Sequence, residues 1–243
     1  MSAQKSALIL GSTGQVGGLL LKELLTTSTF TRVGEFGRRT TSLDALPAQG
    51  REKLQQKVID FEKLDDAGLR EGNWDVVFIT IGTTVKVSGS AEAFERIDRK
   101  YVVDAARAAK SEGHSQRLVY VSSVMADSKS HFLYTRSKGL TEDGLASLGY
   151  DDTIVFRPAA LAGTNRLEPR IGETIANAVA SFGSLFSSSL RIKIGTLARS
   201  LLKAGDLGSA GLPAEAKATT VGKEGARFTL IGNSGALALA RKA

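Results

Sequence analysis

The sequence predicts an α/β fold built on a doubly wound parallel sheet. Apolar runs of strand length alternate with helical patterns from residue 7 to about residue 157. The first run enters a glycine-rich turn that leads straight into a helix. The chain has 243 residues, 42% hydrophobic and 23% charged, which suits a single domain over 1–243 with a well-buried core.

Residues 7–10 (ALIL) read as the first strand, GSTGQVG as the turn and residues 16–25 as the helix. Strand, glycine turn and helix in that order are what a dinucleotide diphosphate requires. Gly11 makes the tight exit from the strand and Gly14 lets the backbone approach phosphate. Gly17 brings the helix close to the sheet. Thr13 adds a hydroxyl donor. The spacing is GxxGxxG, looser than GxGxxG, and a plain strand-turn-helix is the bland alternative.

A second strand, residues 33–36, runs into Gly37-Arg38-Arg39-Thr40-Thr41. An acidic residue at this strand end suits the ribose hydroxyls of NAD, whereas arginine suits a 2′-phosphate. Arg38 and Arg39 therefore predict NADPH. A third strand, residues 57–59, ends in Asp60, a candidate partner for the adenine edge. A fourth, residues 76–81, ends in Gly82-Thr83-Thr84, where glycine lets backbone pass beside the cofactor.

Residues 91–112 read as one long helix, with Phe94, Ile97, Tyr101, Val102 and Ala105 on its apolar face. Residues 117–121 read as a buried strand, 134–148 as a helix and 153–156 as a strand before Pro158 breaks the pattern. These limits give a cofactor-binding core over 7–157 and a substrate-side extension over 158–243. Within the extension, 173–204 is helical in character, interrupted by serines at 187–189. Residues 205–225 read as a mobile loop, and 227–231 as a late strand before a short Ala/Leu helix.

Tyr134 and Lys138 form a YxxxK pair. Residues at i and i+4 of a helix project from one face, so both side chains can meet one ligand. A free tyrosine titrates near ~10, and a neighbouring ammonium favours its phenolate. Alone the pair is a weak signal. Its context is Ser122-Ser123, at the carboxyl end of the strand before this helix, where doubly wound sheets bind ligands. A hydroxyl there can hydrogen-bond a substrate oxygen as charge develops on it. Spacing does not choose between the two serines; Ser123 is the slightly favoured candidate.

There are no cysteines, which excludes disulfides and thiolate chemistry, and two isolated histidines do not make a metal site. No cleavable presequence is read before the first strand. The net charge is +7. Residues 1–156 hold 20 Lys/Arg and 20 Asp/Glu, whereas residues 157–243 hold 12 and 5. That asymmetry points to an anionic partner: cofactor phosphates, an anionic substrate or a membrane surface. Phe182, Leu185, Phe186, Leu190, Ile192, Ile194, Leu197, Leu201 and Leu202 interleave with Arg191, Lys193, Arg199 and Lys203. This pattern fits either lipid docking or ordinary core packing with basic rims. Nucleic acid is not expected, since no basic platform interleaved with aromatics is present.

Together, GSTGQVGGLLLKELL, FGRRTT, VIDFEKLDD, IGTT, FERIDRKYVVDAA, VSSVMADSKSHFLYTRSKGLTE and VFRPAAL resemble the short-chain dehydrogenase/reductase superfamily. More narrowly, they resemble its atypical branch that includes the animal Tat-interacting-protein oxidoreductase and its fungal mitochondrial counterparts. The resemblance covers most of residues 7–173 and implies a Rossmann fold and a reductase. It implies that Thr13, Gly14, Gln15 and Val16 cradle the diphosphate and that Arg38 and Arg39 bind the 2′-phosphate. Ile81 and Gly82 would line the adenosine side, Leu161 would lie beside the nicotinamide, and Arg170 would reach the cofactor. Tyr134 and Lys138 would be the catalytic pair, reducing a small carbonyl substrate. The fungal relatives imply a peripheral place on the mitochondrial outer membrane, with a cytoplasmic location as the alternative. A cofactor-bound scaffold for a protein partner is the competing function. Two departures stand out: where many members carry a relay asparagine, this chain has Asp98, and the C-terminal third, which usually shapes the substrate pocket, matches poorly, so substrate identity does not transfer.

Overall fold

The computed structural model describes residues 4–163 and 191–241. Its strands are β1 (Lys5–Leu10), β2 (Phe30–Gly37), β3 (Leu54–Val58), β4 (Val76–Ile79), β5 (Arg117–Val121), β6 (Asp152–Arg157), β7 (Ala160–Ala162), β8 (Arg191–Lys193), β9 (Thr219–Lys223) and β10 (Ala226–Gly232). Eight of them form one sheet in the order β3-β2-β1-β4-β5-β6-β10-β9. Every neighbouring pair is parallel except β10 with β9. β7 and β8 form a separate parallel pair.

Burial on both faces explains the unbroken apolar reading of β1. Ala7 and Ile9 enter one core with Leu20 and Leu24 of helix α1 (Gln15–Thr26). Leu8 and Leu10 point the other way, into a core with Trp74 and Tyr120. Strands β1 to β3 are added toward one edge of the sheet and β4 to β6 toward the other, so the winding reverses between β1 and β4 and opens a crevice at their carboxyl ends.

The expected long helix over 91–112 is instead three pieces. After a short α2 (Val85–Ser88) come α3 (Ala91–Glu95), a π turn (Arg96–Lys100) and α4 (Tyr101–Ala109). The extra residue of a π turn rotates the face that follows. Asp98, not Ile97, therefore becomes fully buried, and Ile97 and Tyr101 turn to the crevice. The helix stops at Ala109 because the Gln116 side chain satisfies its end: Nε2 donates to the Ala109 carbonyl, and Oε1 accepts the Ser111 N–H.

The next helix, α5 (Leu133–Ala146), is close to its expected span. The expected loop over 205–225 is largely ordered. Helix α6 (Ile194–Gly211) runs through its first third, and β9 occupies 219–223. Glycine here serves packing rather than mobility. A Cβ on Gly205 would sit 2.2 Å from the Phe78 ring, and Gly208 (φ +71) leaves room for the Arg117 guanidinium. Asp152 then accepts hydrogen bonds from the Ser209 N–H and hydroxyl. β10 and helix α7 (Asn233–Arg241) follow, so residues 191–241 complete the sheet across the boundary expected at 157.

In the described part of the basic amphipathic stretch, Ile192, Leu197 and Leu201 are buried on the α1 side of the sheet and Ile194 and Leu202 pack against them; Phe182, Leu185, Phe186 and Leu190 lie outside the described residues. Their apolar face is core. Residues 191–193, expected as helix, are strand β8. No helix among the described residues is long and apolar enough to cross a membrane.

Candidate active site

A cleft of about 830 Å³ runs along the carboxyl edge of β1, β4 and β5. One end is the glycine turn. Gly11 has φ +97, and a Cβ there would lie 2.7 Å from the Ile81 nitrogen, so only glycine fits. The Gly14 N–H closes the turn on the Gly11 carbonyl at 3.0 Å. Gly17 faces away from the cleft, and a Cβ on it would be 2.2 Å from the Gly11 oxygen. It sets the approach of helix to strand, whereas Thr13, Gly14, Gln15 and Val16 line the cleft. Gly14 caps α1 without a side-chain hydrogen bond, and no acidic residue lies in the first turn. The first-turn N–H groups thus keep their donors and partial positive charge for an anion. This cradle, which a Cβ at Gly11 or Gly14 would narrow, fits a dinucleotide diphosphate.

Ile81 and Gly82, after β4, line the cleft on one side of the turn, and Gly37, Arg38 and Arg39, at the end of β2, line it on the other. Both arginines are exposed, and neither is ion-paired among the described residues. Asp60 is not brought in. It is exposed, and its Oδ1 accepts the Glu62 N–H at 3.0 Å in a local turn. Its neighbour Phe61 lines the cleft instead, against Tyr101 with ring centroids 5.3 Å apart.

At the other end, Ser122, Ser123, Tyr134, Lys138 and Leu161 line the same cleft. The buried Ser122 hydroxyl has no hydrogen-bond partner among the described residues, whereas the Ser123 hydroxyl donates to the Val124 carbonyl at 3.2 Å. Tyr134 opens α5 and stacks on Phe94 at 5.9 Å. Lys138, one turn later, is sealed in. Its Nζ lies 2.9 Å from Asp98 Oδ1 and 3.1 Å from the Tyr120 hydroxyl. Burial opposes the ammonium, but attraction to Asp98, then to Tyr120 and Tyr134, outweighs it and raises the Lys138 pKa. Burial likewise pushes the Tyr120 phenol up, against the pull of Lys138. Arg170 lies outside the described residues.

Three residues here were missed as site components. Asp98 was singled out only as a departure; its pairing with Lys138 depends on the π turn. Tyr120 read as a core strand residue. Glu35 read as an ordinary part of β2, yet it is fully buried and accepts a hydrogen bond from Ser12 of the glycine turn at 2.6 Å. A charge inside the otherwise uncharged run of residues 33–36 was the available signal.

A family model described as NAD(P)H-binding matches residues 11–182. Protein HTATIP2 of Rattus norvegicus is 37% identical over 201 residues, covering 82% of this chain and 80% of the rat protein. The mitochondrial protein FMP52 of Candida albicans is 33% identical over 185 residues, covering 73% and 76%. Among solved structures, the Bordetella bronchiseptica enzyme WbmH, in complex with NAD+, aligns with a TM-score of 0.61 at 19% identity. That alignment covers 84% of this chain and 73% of WbmH, and it shows a shared fold. Sheet order, glycine cradle and sequence identity agree: this chain belongs to the NAD(P)H-binding family, as an atypical short-chain dehydrogenase/reductase related to HTATIP2 and FMP52.

Proposed function

We propose that this chain is an NADPH-dependent reductase of an apolar carbonyl compound. The observation that carries this reading is one cleft that holds the glycine cradle and two exposed arginines at one end, and Ser123, Tyr134 and Lys138 at the other. Thr13, Gly14, Gln15 and Val16 hold the diphosphate, and Arg38 and Arg39 hold the 2′-phosphate. Ile81 and Gly82 flank the adenosine half, and Leu161 flanks the nicotinamide. Bound NADPH supplies the reducing equivalent from its nicotinamide ring.

The chain supplies the rest. Ser123 hydrogen-bonds the substrate oxygen, and Tyr134 gives it the phenol proton. Lys138, held by Asp98, keeps a fixed positive charge below Tyr134. Val87, Val124 and Pro158 line the cleft at this end, which favours an uncharged, apolar substrate. The test is NADPH oxidation across a panel of aldehydes, ketones and quinones, by wild type and Tyr134→Phe. Substrate-dependent oxidation lost in Tyr134→Phe supports the reading; equal rates in the two proteins reject it.

The Asp98–Lys138 pair favours a second reading, an NADPH-bound scaffold with little turnover, because it engages the ammonium with a carboxylate. Partner capture that depends on NADPH and survives Tyr134→Phe would select it. The fungal relatives are named mitochondrial. The corresponding proposal here is peripheral attachment to the mitochondrial outer membrane through the basic C-terminal third. Flotation with anionic vesicles tests it; no shift rejects it.

A further inference from the structure

Glu35 is a fully buried carboxylate with no ion pair among the described residues. Such a charge is costly unless hydrogen bonds meet it. Here neutral donors come from three separate segments. Oε1 accepts the Ser12 hydroxyl at 2.6 Å, the Thr41 N–H at 2.8 Å and the Thr41 hydroxyl at 2.6 Å. Oε2 accepts the Gln56 amide at 2.6 Å, and that amide also donates to the Thr41 carbonyl at 2.7 Å. Ser12 belongs to the glycine turn, Thr41 closes the arginine turn and Gln56 lies on β3.

Alternation along β2 puts Glu35 on the same face as Gly37, one pleat deeper than the strand end where an acid would meet ribose hydroxyls. Its oxygens are occupied by protein donors, so it does not take that role. We propose that Glu35 is the positioning residue for cofactor choice. It ties the arginine turn to the glycine turn so that Arg38 and Arg39 reach a 2′-phosphate while the diphosphate sits in its cradle. The inference rests on the reading of both arginines as 2′-phosphate ligands.

The test is titration of the full chain with NADPH and with NADH, followed by nicotinamide fluorescence, for wild type, Glu35→Gln, Thr41→Val and Arg38→Ala. Glu35→Gln and Thr41→Val are each expected to weaken NADPH about tenfold while moving NADH less than about threefold. Equal losses for the two cofactors, or none for either, overturn the proposal, since a merely structural carboxylate would not change their ratio. Should Glu35→Gln fail to fold, Thr41→Val decides alone. The parent reading fails differently: wild type binds NADH as tightly as NADPH, or Arg38→Ala leaves NADPH unchanged, and the proposal falls with it.

Discussion

Lys138 Nζ lies 2.9 Å from Asp98 Oδ1, and the two side chains are 4% and 0% exposed. Removing one partner of such a pair leaves an uncompensated buried charge. Asp98→Ala is therefore expected to cost about 3–5 kcal/mol of stability, with part recovered in Asp98→Ala/Lys138→Met. Urea denaturation of the two variants checks it; an equal loss in both would show the charge was not the cause.

The same pair carries a pH dependence. Lys138 holds its proton more tightly folded than unfolded, because Asp98 outweighs burial. Its contribution is complete below the ordinary lysine value of ~10.4 and declines as pH rises above it. The stability difference between wild type and Asp98→Ala/Lys138→Met should therefore stay constant from neutral pH to about 10 and narrow above. Denaturation midpoints measured across that range provide the check.

Gly17 and Gly14 of the turn should fail in different ways. Gly17→Ala drives a Cβ to 2.2 Å from the Gly11 carbonyl oxygen and 2.5 Å from Thr80 Oγ1. A loss of about 1–3 kcal/mol is expected, visible as a lower denaturation midpoint. Gly14→Ala meets its nearest atom at 3.1 Å. It should keep most of the stability yet weaken NADPH about tenfold, since its Cβ enters the cradle. Equal effects of both on stability and on NADPH would remove the distinction.

Charge at the arginine turn should be read directly in affinity. Arg39→Ala is expected to weaken NADPH by about tenfold to a hundredfold and leave NADH nearly unchanged. The NADPH affinity of wild type should also fall with added salt more steeply than that of the variant. Calorimetry at two ionic strengths measures both.

Tyr134→Phe keeps the ring that stacks on Phe94 and removes only the hydroxyl. Turnover should fall by about 100-fold or more, with NADPH affinity changed less than about threefold. A parallel loss of NADPH binding would assign Tyr134 to cofactor binding rather than proton donation.

Features that depend on neighbours in the chain were legible. β5 spans residues 117–121 as expected, because a strand buried on both faces is a plain apolar run. Tyr134 and Lys138 share a helix face by spacing alone. The glycine turn was readable for the same reason. Residues 205–225 misled because small residues suit a loop as well as close packing against Phe78 and Arg117, and composition does not separate the two.

The sequence by itself determined the alternation of strand and helix, the glycine cradle, the basic turn after β2 and the serine-tyrosine-lysine order. These are local, set by backbone freedom and by periods of two and 3.6 residues. Only the tertiary structure decided the partners of the buried charges. A π turn aims Asp98 at Lys138, forty residues on, and the pairing of β2 with β1 and β3 surrounds Glu35 with Ser12, Thr41 and Gln56. A buried charge takes whatever donors the fold brings within about 3 Å, and that choice is written in the packing of segments distant in the chain.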